Sequence, residues 1–466
     1  MLKKKNLIIV FIALILLLII LTFYGGILRH HYFGGDKFKS LRLMSVFIAE
    51  IPSNIFKIYD SFSNKNFTNQ NIYVENDLHI GKNGFIKYKD HKFNGILLLA
   101  RYDGNIKKSV VEIVDLNKQK ILHKYQPDFQ KILDNTKIDQ EKFIFLKRDR
   151  SKNIFPMKNP LFDEDGGLIF HGSYTPLIKI NFCSEIEWIE DTNVFHHSIN
   201  KSLDGNYWVS SEIYPNSIDS EYIGTSRLEN TKDDRFKNKF IDDAITKVSS
   251  KGEIIFQKSL AQLFIENNLG YLIFGQQNFN LDPFHLNDIE EVKINSEYFR
   301  KGDLFLSARN LSTIIQYRPE TDKIIRLING EFHMQHDIDF IDNKTISIFD
   351  NNRINNLSGS KVMGNNKIKY FDFENNFFYE RYSKILSDQN VKTKGQGLIE
   401  IIDEDTILIE EHEQNRIIIA NENDVILEYY NMAEDGKRYN LYWSRYLNDQ
   451  KEINFIYEKL KNKKCN

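Results

Sequence analysis

Cysteine is almost missing: Cys183 and Cys465 are the only two in 466 residues. Two isolated cysteines make no zinc motif. Cys183 falls in an expected strand and Cys465 is next to last, so no structural disulfide is expected. An excess of one charge is missing too. The 62 Lys+Arg meet 64 Asp+Glu, a formal net charge of -2. A sequence-independent nucleic-acid binder would be markedly basic, so nucleic acid is excluded as a partner. Neither a P-loop nor a G-x-G-x-x-G turn occurs. A nucleotide donor is therefore not expected, and no cofactor or metal is assigned. Proline is scarce, at 8 residues, and only one long apolar run is present.

That run is informative. Lys3, Lys4 and Lys5 precede Leu7 to Leu28, which is uncharged and almost wholly apolar. A membrane-spanning helix needs about 20 such residues, whereas a signal-peptide core has about 7–15 before a small-residue cleavage site. No A-x-A site follows, so residues 1–28 read as an uncleaved anchor with a cytoplasmic stub. Lysines ahead of the span place the N-terminus inside and the rest of the chain in the periplasm or outside the cell. Residues 29–79 read as a juxtamembrane segment. Within it Leu41, Met44, Phe47, Ile48 and Ile51 fall near helical spacing before Pro52, the pattern of an amphipathic helix.

Residues 80–466 change to short alternating strands with polar turns. "FNGILLLARYDGNIKKSVVEIVDLNKQKILHKY" (93–125) and "KGDLFLSARNLSTIIQYRPETDKIIRLI" (301–328) show the unit: turn, strand, link, strand, turn, strand. Similar units recur at 164–189, 341–382 and 403–430. With "FHHSINKSLDGNYWVSSEIY" and its partner "AITKVSSKGEIIFQKSL" there are six copies. Strand groups repeating at roughly 40–60 residues mean a propeller or related β-array. The expected fold is all-β, a six-bladed β-propeller behind one transmembrane helix. The polar stretches 215–238 and 355–366 read as loops inserted into blades.

Histidine recurs where inner strands begin. "HHSI" precedes the turn at Asp204, "FHLNDI" the turn at Gly302, and "QHDI" the turn at Asp342. Inner strands line the channel, so His197, His285 and His336 fall on one ring around one mouth. The next copy has Gly397 there. Arg309 ends a second strand in "LFLSARNLSTI" and reaches the same mouth. His196, Asn287 and His333 flank the ring as substrate-binding candidates. The remaining histidines lack a repeated context and read as structural or exposed. Arginine offers a planar fork of donors to a tetrahedral oxyanion, and imidazole attacks or moves protons near neutral pH. The set suits transfer of a sulfuryl or phosphoryl group.

"FHHSINKSLDGNYW", "DPFHLNDIEEV", "GDLFLSARNLSTI" and "QHDIDFIDNKTISIFDNN" together resemble the arylsulfotransferase family. The resemblance spans about Phe93 to Tyr446 and is densest between about 195 and 355. It implies a six-bladed propeller of the bacterial cell envelope that moves a sulfuryl group from an aryl sulfate to a phenol. Carried over, His336 would become the sulfohistidine. His285 and Arg309 would hold the sulfuryl oxygens, and His197 would transfer a proton, with His196 as the alternate. The amino-terminal anchor departs from the β domain of the better-known soluble members. Two other readings use the same residues. One is a non-catalytic propeller binding a glycan or protein; the other is a metal lyase ligated by His197, His285 and His336. The sequence sets no oligomeric state.

Overall fold

The computed structural model describes residues 2–32, 40, 41, 44–49, 51, 52 and 55, then 72–466 except 75, 138–152, 154, 225–239, 358, 463, 464 and 466. The chain divides into two compact units, Met1–Asn69 and Gln70–Asn466. In the first, one helix runs Leu2–Tyr32. Its Asn6–His30 stretch is long and apolar enough to cross a membrane. Residues 44–49 are also helical; much of the remaining Asp36–Phe62 stretch lies outside the described residues.

The second unit is a propeller. β1 (Gly84–Lys87) pairs at the edge of the last blade. Blade 1 contains β2 (Ile96–Asp103), β3 (Lys108–Asp115) and β4 (Lys120–Tyr125). Blade 2 contains β5 (Lys158–Phe162), β6 (Leu168–His171) and β7 (Thr175–Ile180). The long β8 (Ile186–Lys201) serves two blades. Its first part pairs with β7 as the outer strand of blade 2. Its last part pairs with β9 (Tyr207–Glu212) as the inner strand of blade 3, which β10 (Asp243–Val248) and β11 (Ile254–Ser259) complete. The resulting seven-stranded sheet is thus two blades sharing one strand.

Blade 4 is β12 (Leu286–Glu291), β13 (Leu304–Ala308), β14 (Thr313–Arg318) and β15 (Lys323–Asn329). Blade 5 starts with β16 (His336–Phe340) and β17 (Thr345–Asp350). A hairpin of β18 (Arg353–Asn356) and β19 (Gly359–Val362) follows. β20 (Lys367–Asp372) and β21 (Phe377–Arg381) complete the blade. Blade 6 is β22 (Leu398–Ile401), β23 (Ile407–Glu411), β24 (Arg416–Ala420) and β25 (Val425–Tyr430). Finally β26 (Arg445–Leu447) returns to pair with β2, so the chain's two ends close the ring in blade 1.

Middle strands such as β9, β13, β17 and β24 are buried along their whole length. Buried on both faces, β13 (LFLSA) and β24 (RIIIA) carry near-continuous apolar runs where a half-exposed strand would alternate. Leu304, Leu306, Ile315 and Tyr317 of blade 4 share one core with Trp208 and Ile245 of blade 3, so the blades stack through side chains. The inner strands are also tied by hydrogen bonds. The Ser198 hydroxyl accepts from Ile289 N (3.1 Å), Asp288 Oδ2 from Ile338 N (2.9 Å), and Asp337 Oδ2 from Ile399 N (2.8 Å). This ladder fixes the height of each inner strand against the next.

Two expectations fail. Cys183 and Cys465 form a disulfide with Cα atoms 5.3 Å apart. Cys183 lies on the turn after β7 instead of inside a strand. The helix Gln450–Asn462 buries Ile453 and Ile456 in the core beneath blades 1 and 2, which brings Cys465 back to that turn. The stretch 355–366, expected to be a loop, contributes the end of β18 and all of β19 to a hairpin in which Arg353 pairs with Val362. The other insertion, 215–238, lies mostly outside the described residues.

Candidate functional site

The inner-strand ladder supplies an independent register for the site. Counting two residues back from Ile199, Ile289, Ile338 and Ile399 gives His197, Asn287, His336 and Gly397. His285 therefore does not match His197 and His336; Asn287 does, and His285 stands two residues earlier. Bulges explain the offset. Pairing skips between Phe195 and Ile199, Leu286 and Asp288, and His336 and Ile338. Such a bulge re-aims side chains. His197, His285 and Asp337 accordingly take left-handed backbone angles, φ 57, 51 and 48. Each costs about 1–2 kcal/mol, and strain of this kind gathers at functional sites. At Gly397, a side chain would begin 2.6 Å from the Phe349 ring.

The three imidazoles nevertheless converge. The rings of His197 and His285 lie 4.8 Å apart, and those of His197 and His336 6.3 Å apart. His336 is buried, whereas His197, His285 and Arg309 are half-buried. Asn351, just beyond β17, orients His336. Its Nδ2 donates to the carbonyls of Thr393 (3.1 Å) and Gln396 (2.9 Å), so its Oδ1 is the acceptor facing His336 Nδ1 at 2.6 Å. Nδ1 therefore carries the proton, and Nε2 keeps its lone pair, met by the backbone N–H of Gln396 at 3.1 Å. Burial first, then the Arg309 charge, hold the His336 pKa well below 6.5.

His285 has a different partner. Its Nδ1 lies 2.7 Å from Asp282 Oδ2. Burial resists the Asp282 charge, but the hydrogen bond from His285 and the charges of His285 and Arg309 keep that carboxyl below its usual pKa. Burial meanwhile lowers the His285 pKa. The pair is thus a neutral imidazole donating Nδ1–H to a carboxylate, with Nε2 left basic.

His197 and His196 touch through their Nδ1 atoms at 2.8 Å. His196 stacks on Tyr174 at 4.8 Å, and its Nε2 lies 3.3 Å from Asp243 Oδ1. The His197 carbonyl accepts from Asn159 Nδ2 and lies 2.8 Å from His171 Nε2. Burial, then the neighbouring His285, lower the His197 pKa. Arg309 follows β13 in a short 3-10 turn. Its Nε and Nη2 both donate to Asn310 Oδ1 at 3.1 Å. Among the other candidates, Asn287 is buried and donates to the Gln335 carbonyl (2.8 Å), and His333 is exposed on the rim.

The profile described as Arylsulfotransferase (ASST) matches residues 170–431, more than half of the chain and all three histidines with Arg309. The chain belongs to the arylsulfotransferase family. No curated protein matches it. Among solved structures, a protein of unknown function from Bacteroides caccae is 10% identical with a TM-score of 0.44, covering 76% of this chain and 99% of its own. A catalytically inactive virginiamycin B lyase from Staphylococcus aureus is 11% identical with a TM-score of 0.36, covering 74% and 87%. The Dos1 propeller is 10% identical with a TM-score of 0.36, covering 74% and 73%.

In this family member, several residues around the site escape the sequence motifs. His171 and His412 each stand at the end of a second strand, as Arg309 does, and His171, buried against the His197 carbonyl, fits the structural reading. Burial first lowers both pKa values to about 3, and the Lys158 charge lowers both as well. Lys158 starts the inner strand β5. A search for residues ending second strands would have found these histidines. Asp282 and Asn351 carry no motif. Among the described residues, no three His, Cys, Asp or Glu side chains are arranged to hold a metal ion.

Proposed function

We propose that this propeller transfers a sulfuryl group from an aryl sulfate to a phenolic acceptor through a sulfohistidine at His336. One observation carries the reading. His336 is fixed by Asn351 with its Nε2 lone pair unprotonated, among two other imidazoles and a guanidinium. Nε2 attacks sulfur, the bond from sulfur to the aryl oxygen breaks, and the electron pair leaves with the phenolate. The Arg309 guanidinium stabilises the sulfuryl oxygens, where charge gathers, and the N–H of Gln396 joins it only after attack releases it from Nε2. In the second half the phenol oxygen attacks sulfur, and the bond from Nε2 breaks.

One proton is exchanged: the released phenolate gains it and the incoming phenol loses it. The Asp282 carboxylate makes His285 the stronger base, so we assign the proton to His285 Nε2, with His197 lining the pocket between them. An arriving sulfate's negative charge favours the protonated form of His285, which readies it to donate first. Incubation of the purified chain with a chromogenic aryl sulfate and a panel of phenols tests the activity. Absence of turnover with every pair would return the molecule to a binding scaffold.

Arg309→Lys keeps the charge and loses the fork. Sulfuryl transfer should fall by about tenfold or more, the weight of one charge-assisted hydrogen bond, while Tm stays nearly constant. A variant that melts early instead would make the arginine structural.

The apolar Asn6–His30 helix supports a single-pass anchor. We place its amino terminus in the cytoplasm and the propeller outside, on the strength of Lys3, Lys4 and Lys5. Protease added to spheroplasts should then digest the propeller and leave a short membrane-bound fragment. Complete protection would reverse the orientation.

A further inference from the structure

Arg353 opens β18, on the hairpin set between β17 and β20. Two residues before it, Asn351 holds Nδ1 of His336. The Arg353 Nη1 donates to the Lys394 carbonyl at 3.1 Å, two residues ahead of Gln396, whose N–H meets Nε2 of His336. The guanidinium is thereby tied to the segment that carries Gln396, on the blade 6 side. Arg309 is held on the blade 4 side, through Asn310, whose Nδ2 donates to the Asp282 carbonyl at 2.6 Å. The Arg353 N–H donates to the His333 carbonyl (3.3 Å) and its Nη2 to Ser360 Oγ (2.9 Å), fastening the hairpin to the rim.

Two guanidinium groups therefore stand near enough to one imidazole to act on its charge. Among the described residues neither forms an ion pair with a carboxylate, and the Arg353 Nε has no hydrogen-bond partner. Each lowers the proton affinity of His336, and Arg353 also acts on Arg309. Asp282 and Asp243 offset part of the Arg309 charge, so Arg353 is the group whose charge an added anion would balance. A sulfate monoester carries a single negative charge, enough to offset one of the two guanidinium groups.

Resting on the sulfuryl-transfer reading above, we propose that Arg353 forms a second anion subsite, so that the preferred donor is an aryl sulfate bearing another anionic group on its ring. Arg309 takes the sulfuryl oxygens, and Arg353 takes the ring anion through the remaining N–H bonds of its fork. The hairpin, an insertion within blade 5, is then the element that sets donor specificity.

The test compares kcat/KM for 4-nitrophenyl sulfate and a ring-carboxylated 4-nitrophenyl sulfate, using the full chain and Arg353→Gln. The carboxylated donor should be favoured by about tenfold or more at low salt, the worth of one charge-assisted hydrogen bond. In Arg353→Gln that ratio should drop to near one. No preference in the unaltered chain overturns the subsite. So does an equal loss for both donors in the variant, which would make Arg353 a second ligand of the sulfuryl group. Should neither donor turn over, the transferase reading fails separately. The subsite is then read by calorimetric titration of the same two compounds, where equal affinities overturn it and a preference lost in Arg353→Gln upholds it.

Discussion

His336→Ala should abolish sulfuryl transfer, by about 10⁴-fold or more, the scale seen when a covalent nucleophile is removed. The unaltered chain, mixed with an aryl sulfate and no acceptor and then quenched, should gain the mass of one sulfuryl group. Digestion should place it on the peptide containing "MQHDIDF". A two-step transfer also gives ping-pong kinetics. The acidic limb of the first half-reaction should lie below pH 6.5, because burial and the Arg309 charge keep the imidazole neutral there. The sign follows from the depressed pKa: protonation, which would block attack, sets in only as pH falls past the lowered value. A label on His197 or His285 would keep the transferase and reassign its nucleophile. Normal turnover without any label would favour direct transfer between donor and acceptor.

Loss of the Cys183–Cys465 disulfide should cost about 2–5 kcal/mol of stability. The bond spans a sequence separation of 282 residues, so in the unfolded chain it closes a loop holding most of the propeller. In the folded chain it pins the end of the helix whose Ile453 and Ile456 fill the core beneath blades 1 and 2. Urea unfolding of the oxidised chain and of Cys465→Ser, with free thiols counted by mass spectrometry, measures the difference. Equal midpoints with confirmed loss of the bond would remove its structural role. Persistent disulfides belong to oxidising compartments, which supports the outward orientation proposed for the propeller.

Much of this architecture is legible in the chain itself. The alternating runs and Asp/Gly turns mark the strands because each turn needs residues that tolerate left-handed angles, as Gly205 (φ 78) and Gly302 (φ 88) do. The convergence of His197, His285, His336 and Arg309 is legible through their recurrence at strand ends. Their exact register is not. A bulge adds a residue without a mark of its own, so His285 reads as the equal of His336 although Asn287 holds that place. The disulfide is illegible for another reason: ring closure brings together residues far apart in sequence, and local pattern carries no record of it. The β18–β19 hairpin is hidden by its Asn, Ser and Gly content, which serves a tight rim hairpin as readily as an open loop. Asp282 and Asn351 stay unseen because each acts through one hydrogen bond to one imidazole.

The shared strand β8 has an evolutionary consequence. Other blade junctions contain connecting segments that can lengthen or shorten, and blade 5 holds a hairpin between β17 and β20 while the two strands still pair. β8 leaves less freedom: it is at once the rim of blade 2 and the axis of blade 3, and its two roles meet in the short irregular stretch between Glu190 and Phe195. Side chains along a strand alternate faces, so inserting or deleting one residue between Ile186 and Glu190 would shift the outer strand of blade 2 against β7, whereas the irregular stretch between Glu190 and Phe195 is where a change of length could be absorbed. Descendants of this chain are therefore free to remodel their rims nearly everywhere except along the paired parts of β8, whose lengths are inherited with the site they feed.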